Sequence, residues 1–228
     1  MMATEKKQQS FDTVLELQGE TVTYSGFSAL ENISLQIKPG EKIAIIGPSG
    51  AGKTTLLRTL YQIKPDDCAF IHQHHSLVPQ LSSFHNIYMG RLDAHSNLHN
   101  LRTLIKPKKS DINDISEITN ILGLTDKLWN QVGNLSGGQQ QRVGIGRALY
   151  RGGKILMADE PVSSLDMKQG REIVKLITDF SHTVISALHL IDLSLEFFDR
   201  IVGLRHQKIL FDLPAVEVTQ SRLDDLYG

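Results

Sequence analysis

The first part of the chain alternates between apolar and polar positions. Between residues 12 and 37 this alternation is clearest at Ile33, Leu35 and Ile37, and the polar sequence at 38–41 indicates a turn. A period of two is typical of strands that are buried on one face. The pattern predicts three short strands at the start of the protein.

Continuous apolar runs then predict strands that are buried on both faces of a parallel sheet. These runs are KIAII at 42–46, KILMA at 154–158 and TVISAL at 183–188. Each has a helical pattern on at least one side, which is the order of elements in an α/β core. The first run leads through a glycine-rich loop into a helix that is predicted to begin near Lys53.

A third pattern occupies the segment between Gln73 and Leu135. It contains short amphipathic helical stretches separated by polar turns, and no run in it predicts a strand. The stretches are residues 86–92, 100–105 and 114–124. We therefore expect a single domain in which a helical subdomain is inserted into an α/β core. The expected bounds are 1–228 for the domain, about 12–73 and 150–228 for the core with its β-subdomain, and about 74–149 for the helical subdomain.

Composition and charge narrow the possible functions. A net charge of −1 gives no basic surface for nucleic acid, and the basic run at 106–110 is interpreted as a solvated loop. No apolar run approaches the roughly 20 residues that would span a bilayer, so a membrane role requires a separate chain. The single cysteine, Cys68, excludes an internal disulfide and fits a cytosolic protein.

The glycine-rich loop has the sequence GPSGAGKTT and matches the pattern G-x-x-x-x-G-K-[ST]. In such a loop the backbone N–H groups surround phosphate oxygens, and the following helix adds its positive N-terminal dipole. We expect Lys53 to reach the β- and γ-phosphates and the Thr54 hydroxyl to bind Mg²⁺. A glycine-rich turn without a ligand is the alternative, but the strand before the loop and the helix after it favour phosphate binding. The predicted nucleotide-binding residues are Gly47, Pro48, Ser49, Gly50, Ala51, Gly52, Lys53, Thr54 and Thr55.

Two adjacent carboxylates follow the second buried run. Asp159 and Glu160 lie where that strand ends, and open α/β sheets bind ligands at this edge. We expect Asp159 to hold Mg²⁺ through water and Glu160 to act as the general base that polarises an attacking water. A solvated acidic pair is the alternative, which the presence of the phosphate loop makes less favoured.

The octet LSGGQQQR at 135–142 precedes the same strand, and with it the chain resembles the ATP-binding-cassette (ABC) ATPases over nearly its full length. Ser136 is placed to cap a helix, and the two glycines after it allow close backbone approach, so the helix N-terminus can bind an anion. A simple capped helix is the alternative. The resemblance implies a P-loop NTPase fold of the α/β class, with a mainly parallel core sheet, an N-terminal antiparallel β-subdomain and an inserted helical subdomain.

The resemblance also implies that a single copy is incomplete. In this family two cassettes pair head to tail, and the signature octet of one closes over the γ-phosphate on the P-loop of the other. The signature residues expected at the nucleotide are Ser136, Gly137, Gly138 and Gln139. Asp166, in the SSLD sequence at 163–166, resembles the residue whose loop crosses the dimer interface.

Three further residues resemble family positions near the nucleotide. Tyr24 resembles the aromatic residue that stacks on adenine, with an ordinary strand tyrosine as the alternative. Gln73 resembles the glutamine that contacts Mg²⁺ and the lytic water and links the site to the helical subdomain. His189 resembles the histidine that senses the γ-phosphate.

Within the family the chain resembles the ATPases of bacterial phosphonate importers. The likeness rests on NLSGGQQQRVGIGRAL, ADEPVSSLD, ALHLIDLSLEFFDRIVGLRHQKILFD and RLDDLYG. It implies an ATP- and Mg²⁺-dependent homodimer at the cytoplasmic face of the inner membrane, beneath integral membrane permease subunits. An extracytoplasmic binding protein would deliver phosphonate or a related anion. The alternatives are a non-transport ABC ATPase that acts as a structural or signalling switch beneath a membrane protein and, less favoured, an ATPase that acts on DNA or the ribosome.

Several positions depart from the family pattern. Only about 20 residues separate Lys53 from Gln73, so an edge of the antiparallel sheet is expected to be trimmed. Gly144 and Gly146 lie in the signature helix at positions where the family favours alanine. Each glycine costs about 1 kcal/mol of helix stability relative to alanine. Close packing against a partner is the proposed reason.

Two residue clusters near Gln73 leave alternatives open. The first cluster consists of histidines, which could together bind a metal ion. The alternating strand pattern of this segment and the resemblance of Gln73 to a family position make a metal site less favoured. The histidines are His72, His74, His75 and His85. The apolar residues of the second cluster either accept a helix of the membrane partner or belong to the core. They are Leu77, Pro79, Leu81 and Phe84.

Overall fold

The computed structural model of the chain describes residues 13–24, 26–72, 77–163 and 165–228. The strands are β1 (Leu15–Tyr24), β2 (Phe27–Ile37), β3 (Lys42–Ile46), β4 (Cys68–Ile71), β5 (Ile155–Asp159), β6 (Thr183–Ala187), β7 (Arg200–Arg205) and β8 (Lys208–Pro214). The α-helices are α1 (Lys53–Ile63), α2 (Ser83–Tyr88), α3 (Asn97–Ile105), α4 (Lys109–Ile121), α5 (Gly137–Arg151), α6 (Met167–Phe180), α7 (Ile191–Phe197) and α8 (Gln220–Tyr227). Short 3₁₀-helices lie at Pro65–Asp67, Met89–Ala94, Thr125–Lys127, Val132–Asn134 and Ala215–Glu217.

The chain divides into two compact units. The first contains the described residues up to Cys68 together with Lys154–Gly228, and the second is Ala69–Gly153. Among the helices that the structure describes, none combines the length and the apolar character needed to cross a bilayer.

A six-stranded sheet of order β4-β5-β6-β3-β7-β8 forms the core. Strands β5, β6, β3 and β7 are parallel, and β8 returns antiparallel to β7. The three continuous apolar runs are the central strands β3, β5 and β6, and their side chains are almost entirely buried, which confirms those predictions. Because the strands are parallel, Ile46, Asp159 and Ala187 end at one edge of the sheet.

Strands β4, β7 and β8 were not predicted from the sequence. Strand β4 has only four residues, which is too short for a period to be seen. The hairpin from β7 to β8 turns at His206 and Gln207, which both have left-handed backbone conformations with φ of 49° and 63°. Such turns normally carry asparagine or glycine, so this sequence lacks the usual hairpin signal.

The N-terminal sheet corrects the prediction of three short strands. It has only β1 and β2 among the described residues, paired antiparallel over ten and eleven residues. Irregular pairing shifts the register within the hairpin, and Gly19 and Asn32 adopt left-handed conformations there. Such bulges interrupt the alternation of side chains within one strand, so the pattern predicts shorter strands than the backbone forms.

The second unit packs α2, α4 and α5 around an apolar core. Phe84 is fully buried in it, edge-on to the ring of His85 and tilted against the ring of Trp129, so Phe84 belongs to the core and not to a partner surface. Gly146 of α5 also faces this core, where an added Cβ would lie 3.0 Å from side-chain methyls of Ile87 and Leu122. The expectation that Gly146 serves packing against a partner is therefore wrong, because tight packing inside the unit explains it.

Candidate active site

The glycine-rich loop connects β3 to α1, and its close contacts require glycine at both ends. Gly47 has φ of 149°, and a Cβ there would lie 2.1 Å from the carbonyl oxygen of Leu204. Gly52 has φ of 106°, and a Cβ there would lie 2.6 Å from the carbonyl oxygen of Ala29. Any side chain would collide with backbone at either position, so the loop can keep this shape only with glycine there.

Lys53 is the first residue of α1 and is 5% exposed. Its ammonium group donates hydrogen bonds to the carbonyl oxygens of Gly47 at 2.8 Å and Pro48 at 3.0 Å. Burial lowers the pKa of Lys53, and the nearby carboxylates of Glu160 and Asp159 offset part of that shift. The loop thus holds a positive charge at its centre, where an anionic ligand would meet it.

Thr54 and Asp159 come together from different elements. The Thr54 hydroxyl, on the second residue of α1, donates a hydrogen bond of 3.0 Å to Oδ1 of Asp159 at the end of β5. Asp159 is buried. A hydroxyl and a carboxylate are hard oxygen donors of the kind that Mg²⁺ prefers, so the donor set fits this ion.

Glu160 and His189 meet beside the loop. Glu160 has a left-handed backbone conformation with φ of 50°, which is uncommon for a residue with a side chain. Its Oε1 is hydrogen-bonded to Nε2 of His189, which follows β6. The carboxylate is mostly buried, with 15% of the side chain exposed, whereas the imidazole is 41% exposed. The pair therefore has one side that a ligand can reach from solvent.

Most of these groups line one cavity of about 340 Å³. Its walls are Ser28, Ala29, Ser49, Gly50, Gly52, Lys53, Thr54, Thr55, Glu160 and His189. The sequence did not indicate Ser28 and Ala29, because nothing in their local pattern distinguishes them from other residues of an edge strand. Tyr24, at the end of β1, is 58% exposed and pairs across the hairpin with Phe27. Its predicted role in stacking on adenine stays a prediction.

A third unpredicted residue contacts the start of the loop. The backbone N–H of Gly47 donates a hydrogen bond of 3.2 Å to the hydroxyl of Tyr227, in α8. The two residues are 180 positions apart in the chain. No local sequence pattern could have indicated this contact.

The signature residues lie in the second unit, at the start of α5. Ser136 and Gln139 form a reciprocal capping box, in which each side chain accepts the other's backbone N–H at 3.3 and 3.0 Å. A Cβ added to Gly137 would meet nothing within 4 Å, so packing within the described chain does not require glycine there. The capped helix is therefore present, and the predicted contact of Ser136, Gly137, Gly138 and Gln139 with nucleotide stays a prediction.

The remaining predicted residues have different outcomes. Asp166 is exposed and caps α6 by accepting the backbone N–H of Gln169 at 2.9 Å. Its role at a dimer interface stays a prediction. Gln73, His74 and His75 lie outside the described residues. Within the described ranges, no group of three or more histidine, cysteine and acidic residues is arranged to hold a metal ion.

A sequence model described as ABC transporter matches residues 30–163. The chain belongs to the ABC transporter family. It is 35% identical to the Phosphonates import ATP-binding protein PhnC of Pseudomonas putida, an alignment that covers 95% of this chain and 91% of that protein. The protein named Phosphonates import ATP-binding protein PhnC 3 of Nostoc sp. is also 35% identical, over 94% of this chain and 92% of its own length.

The fold of this ABC transporter subunit resembles that of a solved structure. That structure is the dimeric post-hydrolysis state of the ATP-binding cassette MJ0796 bound to ADP and Pi. The TM-score is 0.75 and the identity 27%, over 88% of this chain and 98% of that one. The chain is thus an ABC transporter subunit that binds and hydrolyses ATP, and the predicted family, fold class and ATPase activity are confirmed.

Proposed function

We propose that this ABC transporter ATPase powers the import of phosphonate or a related anion through separate membrane permease subunits. The observation that carries the proposal is the 35% identity to Phosphonates import ATP-binding proteins over nearly the whole of both chains. In this proposal the chain is a peripheral subunit at the cytoplasmic face of the inner membrane. An extracytoplasmic binding protein delivers the cargo to the permease.

The residues around the cavity define the proposed hydrolytic step. Glu160 accepts a proton from water as the water oxygen bonds to the γ-phosphorus, and the bond from that phosphorus to the ADP oxygen breaks. His189 holds the Glu160 carboxylate through the hydrogen bond between them and contacts the γ-phosphate. Lys53 stabilises the charge on the phosphoryl oxygens as they transfer.

The proposed Mg²⁺ site consists of Thr54 and Asp159, with Gln73 as a further oxygen donor. The hydrogen bond from Thr54 to Asp159 supports it, because it brings two suitable oxygens together at the edge of the sheet. Mg²⁺ bound there would neutralise negative charge on the phosphates of the substrate.

We also propose that two copies pair head to tail around two shared nucleotides. Tyr24 then stacks on adenine, the signature residues of the partner face the γ-phosphate, and Asp166 lies at the interface. Two observations support this arrangement. The 27% identical cassette MJ0796 is dimeric with ADP and Pi, and Gly137 has open space around it that a partner's phosphate could use.

Reconstitution tests the proposed cargo. The chain is purified from its native membranes in mild detergent together with the permease that remains bound, and the complex is placed in proteoliposomes with its binding protein. Methylphosphonate is expected to stimulate ATP hydrolysis, and the Glu160→Gln complex serves as the inactive control. If hydrolysis depended on Lys53 but responded to neither phosphonate nor phosphate, the ATPase assignment would be retained and the proposed cargo would be contradicted.

A further inference from the structure

Helix α8 touches the phosphate loop at the loop's first residue. Tyr227 is the last residue of α8, and its hydroxyl accepts the backbone N–H of Gly47 at 3.2 Å. Gly47 is buried, so this N–H depends on a protein partner. Leu223 and Leu226 of the same helix are also buried, which fixes α8 beside the sheet.

Residues at the end of β7 contact both helix α8 and the phosphate loop. Arg205 donates hydrogen bonds from its guanidinium group to the carbonyl oxygens of Asp225 and Gly228, at the end of α8. The preceding residue, Leu204, presents its carbonyl oxygen to Gly47 so closely that only glycine fits. Two consecutive residues of β7 thus set the positions of α8 and of the loop relative to each other.

Gly47 is hydrogen-bonded both to Tyr227 and to the lysine of the loop. Its N–H is held by Tyr227, and its carbonyl oxygen accepts the ammonium group of Lys53 at 2.8 Å. We propose that Tyr227 is a positioning residue for ATP binding: its hydroxyl fixes the Gly47 backbone and so aligns the carbonyl that holds Lys53. The inference rests on the proposed role of Lys53 at the phosphates.

The hydroxyl acts as a neutral acceptor in this contact. Burial raises the pKa of Tyr227, and the hydrogen bond from Gly47 offsets part of that shift. The ordinary pKa of tyrosine is already about 10, so the phenol stays protonated at physiological pH. The contact therefore supplies a hydrogen bond without adding a negative charge beside the phosphates.

The Tyr227→Phe variant tests the inference, because it removes one oxygen and keeps the ring. We expect the KM and Kd for ATP to rise about three- to tenfold, the effect of losing one hydrogen bond at a buried donor, with kcat unchanged. The amide proton of Gly47 should also exchange faster with solvent in this variant. If only the ring of Tyr227 mattered, for packing, neither the affinity for ATP nor the exchange rate of the Gly47 amide would change in this variant.

Two matched variants separate the possible causes. Thr219→Ala removes the cap of α8 without touching the hydroxyl, and it should leave ATP affinity unchanged. An equal loss of affinity in Thr219→Ala and Tyr227→Phe would assign the effect to helix packing and overturn the inference. Native affinity in Tyr227→Phe, or a Gly47 amide that already exchanges freely in the unaltered protein, would overturn it as well. Lys53→Ala tests the proposed site separately, since retained ATP affinity there would contradict the role of Lys53 whatever Tyr227 does.

Discussion

Two buried helix glycines should respond in opposite ways to alanine. Alanine favours a helix over glycine by about 1 kcal/mol, so each substitution starts with the same gain. At Gly170 of α6 a Cβ would meet side chains of Leu193 and Val162 at 3.6 Å, which is an ordinary contact. At Gly146 it would meet Ile87 and Leu122 methyls at 3.0 Å, and both of those side chains are fully buried.

The expected changes in the free energy of unfolding follow from these distances. Gly170→Ala should raise the free energy of unfolding by about 0.5–1 kcal/mol. Overpacking in a close-packed core costs about 1–3 kcal/mol, so Gly146→Ala should lower it by about 1 kcal/mol after the helix gain is subtracted. The two variants should thus differ by about 2 kcal/mol, or about 1 M in the midpoint of urea unfolding.

Urea titrations without nucleotide, followed by circular dichroism, measure this difference under conditions where ATP cannot mask it. The slopes should stay equal to that of the unaltered protein, so that midpoints report stability alone. If Gly146→Ala were as stabilising as Gly170→Ala, packing inside the second unit would not be the reason for glycine at 146. A partner surface would then have to be reconsidered.

Three further predictions concern the candidate active site. Lys53→Ala should abolish ATP binding, as measured by the fluorescence of a labelled nucleotide, and native affinity would contradict the assignment. Glu160→Gln should bind ATP but not hydrolyse it, and should run as an ATP-bound dimer in size-exclusion chromatography with light scattering; turnover near the native rate would rule out Glu160 as the base. Asp159→Asn should raise the Mg²⁺ concentration required for half-maximal hydrolysis about tenfold or more, consistent with loss of a charged oxygen ligand. An unchanged Mg²⁺ requirement would remove Asp159 from the metal site.

The elements that carry the candidate site could be predicted where a strand, a loop and a helix occupy one short segment of the chain. The run KIAII, the glycine loop and Lys53 follow one another directly, so strand, loop and helix could be predicted together. The acidic pair at 159–160 was likewise placed by the strand before it. Buried strands and their ends are determined by local apolar runs, which is why these parts of the site could be predicted.

The rest depends on contacts between distant residues. The hairpin at His206 and Gln207 forms because β8 pairs with β7, even though neither turn residue is the asparagine or glycine that such turns usually carry. The contact of Tyr227 with Gly47 joins residues that no periodicity relates. The tight packing around Gly146 could not be predicted either, because Ile87 of α2 and Leu122, which follows α4, meet it only in the folded unit.

The hydrogen bonds of Lys53 to its own loop set a threshold for the charge of a ligand. The ammonium group already has two carbonyl acceptors, so a ligand gains only the difference between its oxygens and those carbonyls. A phosphate oxygen adds the attraction between opposite charges, which a neutral carbonyl lacks, so we expect a highly anionic polyphosphate to outcompete the carbonyls and an uncharged nucleoside not to do so. In the proposed site, selection among adenine compounds by the number of their phosphates therefore begins at this lysine, independently of how the base is recognised.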